Sequence, residues 1–345
     1  MSDPSVPPPD RAPTVADVAR LAGVSTATVS RCLNMPGRVS GPTRARVLAA
    51  VKRLGYAPNS SAQALAARRS NTMGAVIPTM ENAIFARGVQ AMQEELVRHG
   101  KTLLIASSAY RPDLEAEQIR TLVQRGADAL MLIGLSRDAA VHDFLRRRGV
   151  PTVAAWCHAA AAPIPCVGFD NARAMAEMAG VVIEAGHRRL GMISAPTATN
   201  DRARDRVAGV RRAMAAAGLA PETLTLVETA YGIDAGAAAL DAILDRAPAT
   251  TAVICGNDVL AVGALRGAAA RGLEVQRDLS VTGFDDIDLA TLARPALTTV
   301  HVPHREMGRR AAALLVEAVH GGAAPEGAEL QTDLRLRDSL GPPPA

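Results

Sequence analysis

From Met73 to Val302 the chain alternates short apolar runs with longer stretches whose apolar residues recur at helical spacing, and this pattern restricts the fold more than any other feature. The runs are GAVIPT, TLLIAS, ALMLIG, TVAAW, CVGF, RLGMIS, LTLVET, TAVICG, SVTGF and TTVHV, with stretches such as LEAEQIRTLVQRG and DVLAVGALRGAAARG between most of them. Strand and helix in repetition predict parallel sheets covered by helices, because parallel neighbours need a long crossover that is usually helical. So many strands predict two sheets, and 345 residues suffice for two or three folded units.

The N-terminal part has a different texture. After a Pro-rich leader, expected to be disordered over 1–13, TVADVARLAGVSTATVSRCLN reads as two short helices broken at Gly23. Thr14 is placed to cap the first, with Asp17 three residues on, and Ser25 to cap the second. Val18, Leu21 and Ala22 supply one inward face, Val29 and Leu33 the other, and so short a link gives a tight angled pair. A third helix follows in SGPTRARVLAAVKRLG, with Ser40 as cap, Pro42 in the first turn, Val47, Leu48, Val51 and Leu54 inward, and Gly55 as terminator. The next stretch, YAPNSSAQALAARRS, holds a helix of barely two turns, marginal in water unless it packs on something. Residues 1–71 carry ten Arg or Lys against three Asp, net +7, and the remainder is net −3. A basic head on a slightly acidic body suits a phosphate-binding module attached to a body that does not touch nucleic acid.

DVARLAGVSTATVSRCLN, RVSGPTRARVLAAVKRLGYAPN and ALAARRS closely resemble the N-terminal signature of the LacI family of bacterial repressors, and a looser likeness runs through nearly the whole chain. With Val29 and Leu33 inward, Thr26, Ala27, Ser30 and Arg31 face outward on the second helix, the surface that enters a major groove. The resemblance implies that Thr26 and Ala27 help choose the operator and that Arg31 contacts DNA. Ser25, Thr28, Arg38 and Arg44 are expected on phosphates, which position without specifying. Leu65 matches the hinge leucine that wedges into the minor groove at the operator centre, with Asn59 and Ala62 beside it. Asn59 to Arg68 is expected to be helical only in the DNA-bound dimer. The implied organisation is a helix-turn-helix headpiece over 14–58, a hinge helix and linker over 59–71, and an effector-binding core over 72–340.

For that core the resemblance implies the two-lobed α/β fold of periplasmic sugar-binding proteins, with the N-lobe over about 72–165 and 298–322 and the C-lobe over about 166–297 and 323–340. Ligands of such sheets sit at the carboxyl ends of strands. There Asn257 and Asp258 follow TAVICG, Asp285 and Asp286 follow SVTGF, and Asp170 and Asn171 follow CVGF; the last two serve equally as helix caps. Asp285 matches the family's acidic ligand contact, and Arg206 in DRARDRVAGVRRAM matches the arginine that reaches into the cleft. Arg202 and Arg204 are expected at the surface or behind it. Aromatic residues number eight, and of these Phe85 and Trp156 are placed to stack on a sugar ring, with a core role equally open to Phe85. Many relatives carry an acidic or Asp-Arg pair where this chain has AAWCHA. NAIFARGVQAMQ and LLIASSAY are similar to the gluconate-responsive branch, which points to a sugar acid.

No phosphate loop, dinucleotide fingerprint, nucleophile elbow or zinc helix occurs, so no enzyme activity, cofactor or metal is expected. Cys32, Cys157, Cys166 and Cys255 are far apart with no CxxC pair and read as buried or incidental thiols. His158, His187, His301 and His304 lack ligand spacing and are expected at the surface or as caps. The leader lacks the apolar run of an export signal, which predicts a cytoplasmic protein with no membrane role. A tail without leucine heptads favours a homodimer over a tetramer. The partners implied are pseudo-palindromic double-stranded operator DNA and a small sugar or sugar-acid effector. A sugar receptor or a sugar-modifying enzyme with no DNA-binding role are the rivals. The first needs an export signal and no basic head, the second a catalytic constellation that the sequence lacks.

Overall fold

The computed structural model describes residues 11–57, 69–81, 83–159, 161–321 and 326–344. The chain divides at Ser70 into two compact units. The first contains α1 (Val15–Ala22), α2 (Thr26–Asn34), a 3-10 turn at Pro36–Arg38 and α3 (Gly41–Leu54). Thr14 and Asp17 form a reciprocal capping box on α1, Gly23 ends it with φ 67°, and Ser25 caps α2 by accepting from Thr28 N. Hydrogen bonds from Thr14 and the nearby Arg11 and Arg20 hold the Asp17 carboxyl below its usual range. Val18, Ala19, Ala22, Val29, Cys32, Val47 and Ala50 form the small core. Two expectations fail here. Ser40 makes no cap to the backbone of α3 and donates instead to Thr43 Oγ1, and Leu48 is 44 % exposed, because the narrow inward stripe of α3 is filled by Val47 and Ala50.

The second unit holds two parallel sheets. The first has the order β11-β5-β4-β3-β1-β2, made of β1 (Thr72–Ile77), β2 (Thr102–Ser107), β3 (Ala129–Ile133), β4 (Thr152–Ala155), β5 (Cys166–Gly168) and β11 (Ala328–Glu329). The second has the order β7-β6-β8-β9, made of β6 (Leu190–Ser194), β7 (Thr225–Glu228), β8 (Ala252–Cys255) and β9 (Ser280–Thr282). β10 (Thr299–His301) pairs antiparallel with β12 (Asp333–Arg335). The helices are α4 (Ala83–Arg98), α5 (Pro112–Gln124), α6 (Ala139–Arg148), α7 (Asn171–Glu184), α8 (Asp201–Ala216), α9 (Ile233–Arg246), α10 (Asp258–Ala270), α11 (Asp288–Leu292) and α12 (His304–Val319). Each apolar run of the sequence becomes a strand. β11 and β12 escape detection because they are two or three residues long and largely polar.

The headpiece and the two-lobed α/β core are thus as the sequence predicts, but the lobe crossings fall later than at 165, 297 and 323. β5 stays in the first sheet, so the first crossing follows Gly168. Bridges from Thr282 to Thr298 and from Asp285 to His301 keep the second lobe's sheet going past 297. β11 pairs with β5, so the last return comes after Glu329. Each crossing segment first pairs with the sheet it is leaving, which an apolar pattern does not reveal. Among the described residues no helix is long and apolar enough to cross a membrane, and no three His, Cys, Asp or Glu cluster as metal ligands.

Candidate functional site

On α2 the buried Val29 and Cys32 define the inner side, and Thr26, Ala27, Ser30 and Arg31 are exposed on the other. The short side chains at 26, 27 and 30 let the helix approach a partner closely, while Arg31 supplies a long fork of donors. Ser25 Oγ accepts from Thr28 N at 3.2 Å and lies 2.9 Å from Thr28 Oγ1, so both hydroxyls sit at the N-terminus of α2, where its free N–H groups favour a phosphate. Arg38 in the 3-10 turn and Arg44 on α3 are exposed. Asn59, Ala62 and Leu65 lie outside the described residues.

Between the lobes of the second unit, Ile84, Phe85, Tyr110, Trp156, Arg202, Arg206, Tyr231, Asn257 and Asp285 enclose a cavity of about 20 Å³, little more than one water. Tyr110, Trp156, Tyr231, Asn257 and Asp285 each follow a strand, at the carboxyl ends where ligands of open α/β sheets bind. Phe85 meets Trp156 edge-on with ring centroids 5.4 Å apart, and Tyr110 from one lobe meets Tyr231 from the other at 5.5 Å. Ala109, Tyr110, Trp156, Asp285 and Asp286 have positive φ, as do only Asn71 and Gln276 of the other described non-glycine residues. Backbone strain is therefore concentrated at the cavity wall, as at sites whose geometry serves a ligand.

The polar groups divide into those that are tied and those that are not. Trp156 Nε1 donates to His304 Nδ1 at 3.0 Å, which leaves His304 Nε2–H to donate to the Asp285 carbonyl at 3.2 Å. Asn171 Nδ2 donates to the Trp156 carbonyl at 3.0 Å, and Arg206 Nε donates to Asn171 Oδ1 at 2.9 Å. Arg206 Nη1 donates to the Gly256 carbonyl at 2.5 Å, and its guanidinium lies 3.8 Å over the Phe284 ring. The arginine is thereby aimed, but Nη2 stops 3.9 Å from Asp285 Oδ1. Both carboxylate oxygens of Asp285 and the Nδ2 of Asn257 are buried without a partner. Burial pushes the Asp285 carboxyl up to about 7 against the pull of Arg206 and Arg202. Burial likewise holds the His304 imidazole down to about 3, so it stays neutral.

Several sequence expectations need correction. Asp258 does not line the cavity: Oδ2 accepts from Ile287 N at 2.8 Å and Oδ1 from Thr299 Oγ1 at 2.5 Å, tying the Asp285 loop to β10. Asp286 is bound by His301 and Arg337, and Asp170 caps α7. Arg202 is buried at the cavity rather than at the surface, whereas Arg204 is exposed. His187 and His304 are buried, not surface caps; His187 contacts Thr251, Ser280 and the Gly341 carbonyl. The sequence reading assigns no part in the cleft to Tyr110, Tyr231 or His304. The strand-end rule that finds Asp285 also reaches Tyr110 and Tyr231, but nothing local marks His304.

Asp201 explains how the lobes are held shut. From the N-terminus of α8 it accepts Leu135 N at 2.5 Å and Ser136 N at 3.1 Å from the other lobe, and it pairs with Arg202 Nη1 at 2.9 Å. Gly134 permits this contact: it has φ 74°, and a Cβ there would land on the Arg202 guanidinium and the Asp201 carboxylate. Gly134→Ala is expected to cost about 1 to 2 kcal/mol in backbone conformation alone and to hold the lobes apart. Small-angle scattering checks this through a larger radius of gyration for the isolated core.

Known proteins share this architecture. Residues 14–59 match the family described as bacterial regulatory proteins, lacI family, and residues 70–337 match periplasmic binding proteins and sugar binding domain of LacI family. The HTH-type transcriptional repressor CytR of Escherichia coli K12 is 33 % identical over 333 residues, covering 96 % of this chain and 97 % of the relative. Among solved structures, a LacI family regulator from Silicibacter pomeroyi superposes with TM-score 0.87 at 28 % identity, covering 95 % and 99 % of the two chains. The CelR–cellobiose complex superposes with TM-score 0.70 at 32 % identity, covering 95 % and 99 %. With a capped basic headpiece, a two-lobed core and these likenesses over nearly its full length, the chain belongs to the LacI family and is a DNA-binding transcriptional regulator with an effector-binding core.

Proposed function

We propose that this regulator is a homodimeric repressor that reads a pseudo-palindromic operator through Thr26, Ala27, Ser30 and Arg31 and answers to a sugar or sugar acid held by Asp285, Asn257 and Arg206. One observation carries the effector reading: Asp285 and Asn257 have three buried polar atoms with no hydrogen-bond partner, in a cavity walled by four aromatic rings. Vicinal hydroxyls satisfy a carboxylate and an amide together, and the apolar face of a sugar ring stacks on aromatic side chains. Arg206 lines the same cavity with no carboxylate closer than Asp285 at 3.9 Å, and where Asp285 is protonated a ligand carboxylate balances the Arg206 charge, which favours a sugar acid such as gluconate.

The cavity of about 20 Å³ at Asp285 is too small for a sugar, while a neighbouring one of about 480 Å³ shares Tyr110 and Tyr231 with it, so an effector that reaches Asp285 favours an arrangement in which the two are joined and shifts the population toward it. Through the dimer that shift alters the spacing of the headpieces, and Ser25, Thr28, Arg38 and Arg44 hold the phosphates. Asn59, Ala62 and Leu65 complete the proposal as the hinge segment that orders on DNA, and amide exchange fully protected over 59–68 without DNA defeats that part.

The test is selection from a random duplex library by the purified chain, followed by titration with gluconate, glucose, ribose and cellobiose. A palindromic motif is expected to emerge, its affinity to fall steeply with salt as phosphate counterions are released, and one compound to change both operator affinity and the emission of Trp156, the only tryptophan. No preferred duplex, with or without these compounds, overturns the reading.

A further inference from the structure

The four cysteines offer no pairing in sequence, and all are free and buried in the structure, yet two of them meet. β4 ends at Ala155, and Trp156 then takes φ 61°, which turns the chain back across its neighbour β5. Cys166 and Gly168 point to the same face of β5, being two residues apart in a strand. On that face lies Cys157: a Cβ on Gly168 would come within 2.5 Å of Cys157 N, 2.7 Å of its O and 3.0 Å of its C. The glycine lets the Cys157 backbone lie flat on the strand and brings its thiol onto Cys166. The two side chains pack together and, with Ala154, form a small cluster of their own under Leu135, Ala162 and Ile164, and the Cys166 thiol donates to the Ile164 carbonyl at 3.5 Å.

We propose that Cys157 and Cys166 are a modification site, a dithiol that closes to a reversible disulfide under a peroxide and thereby places a redox input directly against the cleft-wall residue Trp156. The sulfurs are not equivalent. Cys157 beside it, the backbone at Ala159 and the nearby Arg137 hold the Cys166 thiol below its usual range, while Cys166 and burial push the Cys157 thiol well above it. Cys166, which directly follows the exposed or half-buried segment over 161–165 and is held toward its thiolate, is the attacking sulfur. As its thiolate it takes the distal oxygen of hydrogen peroxide; the O–O bond breaks, the other oxygen leaves as water after gaining a proton, and Cys166 becomes a sulfenic acid. Cys157 sulfur then displaces that hydroxyl, which leaves as a second water with the Cys157 proton, and the S–S bond forms. Two thiols lose two electrons in total and one peroxide gains them. The covering segment over 161–165 is exposed or half-buried, so local opening there gives a small oxidant access.

Forming an S–S bond draws Cys157 toward β5, and Trp156, whose carbonyl is held by Asn171 and whose indole is held by His304, moves with it. The disulfide itself does not depend on the effector assignment; only its consequence for the cleft rests on that reading. The experiment treats the full chain with hydrogen peroxide, alkylates it under denaturing conditions and digests it with trypsin. Residues 149–173 form one peptide holding both cysteines, bounded by Arg148 before it and ending at Arg173. This peptide is expected to lose both alkylations and two hydrogen masses, reversibly with dithiothreitol, while Cys32 and Cys255 remain alkylated. Cys157→Ser is expected to leave a sulfenic acid on Cys166 that dimedone traps, and Cys166→Ser to leave Cys157 unreacted. If Cys157 and Cys166 stay alkylatable, or oxidation appears at Cys32 or between chains instead, the proposal is overturned. A disulfide that forms without changing Trp156 emission overturns the link to the cleft.

Discussion

Replacing Asp285 by asparagine is expected to stabilise the effector-free protein above pH 7 by up to about 4 kcal/mol while strongly weakening its response to effector. The carboxyl ordinarily titrates near 3.8 but is pushed up to about 7 in the folded protein. The folded state thus binds this proton more tightly than the unfolded chain does, so stability falls as pH rises from about 4 to about 7 and levels off above that. His304, held down to about 3, contributes the opposite slope below its ordinary value of 6.5. The difference between wild type and variant, measured by urea unfolding at a series of pH values, isolates the carboxylate. It is expected to be small at pH 4 and largest at pH 8. The same substitution removes the acceptor pair that effector hydroxyls would use, a loss of about 3 kcal/mol or a hundredfold in affinity. Equal stability of the two proteins at pH 8 would mean that Asp285 is paired or solvated, and the argument for a ligand there would fail with it. Arg206 remains aimed in the variant, because Asn171 and the Gly256 carbonyl hold it independently of Asp285.

What can be read in the sequence is what depends on neighbours in the chain. Thr14, Asp17, Gly23 and Ser25 act within one turn of their own helix, so their roles follow from residue type and spacing. Asp285, Asn257 and Arg206 are reachable because strand ends and a family likeness both mark them. His304 is not: its role arises from Trp156, far before it in the chain, and from the carbonyl of Asp285, partners that only the tertiary fold supplies. Asp258 misleads for the same reason. It occupies the expected strand end, but Thr299 and Ile287 claim both of its oxygens. The cysteines show the limit most plainly, since the turn at Trp156 and the missing side chain of Gly168 bring Cys157 onto Cys166, and neither is a property of cysteine spacing.

The second large effect is expected in the headpiece. Arg31→Ala is expected to weaken binding to the selected operator ten- to a hundredfold, about 1 to 3 kcal/mol, and to leave binding to bulk genomic DNA nearly unchanged. Arg31 is exposed on α2 with its backbone inside the helix, and the headpiece core of Val18, Val29 and Val47 does not include it, so the variant should fold. Arg38→Ala and Arg44→Ala provide the contrast. Each deletes a cation that neutralises one phosphate, which weakens every duplex alike and lowers the slope of log affinity against log salt by about one. Competition binding over a range of salt, with operator and random duplex in parallel, separates the two behaviours. If Arg31→Ala instead lowers all affinities equally and flattens the salt slope, Arg31 sits on the backbone, and base choice passes to Thr26, Ala27 and Ser30, whose hydroxyl and methyl groups are the remaining exposed chemistry of that helix face.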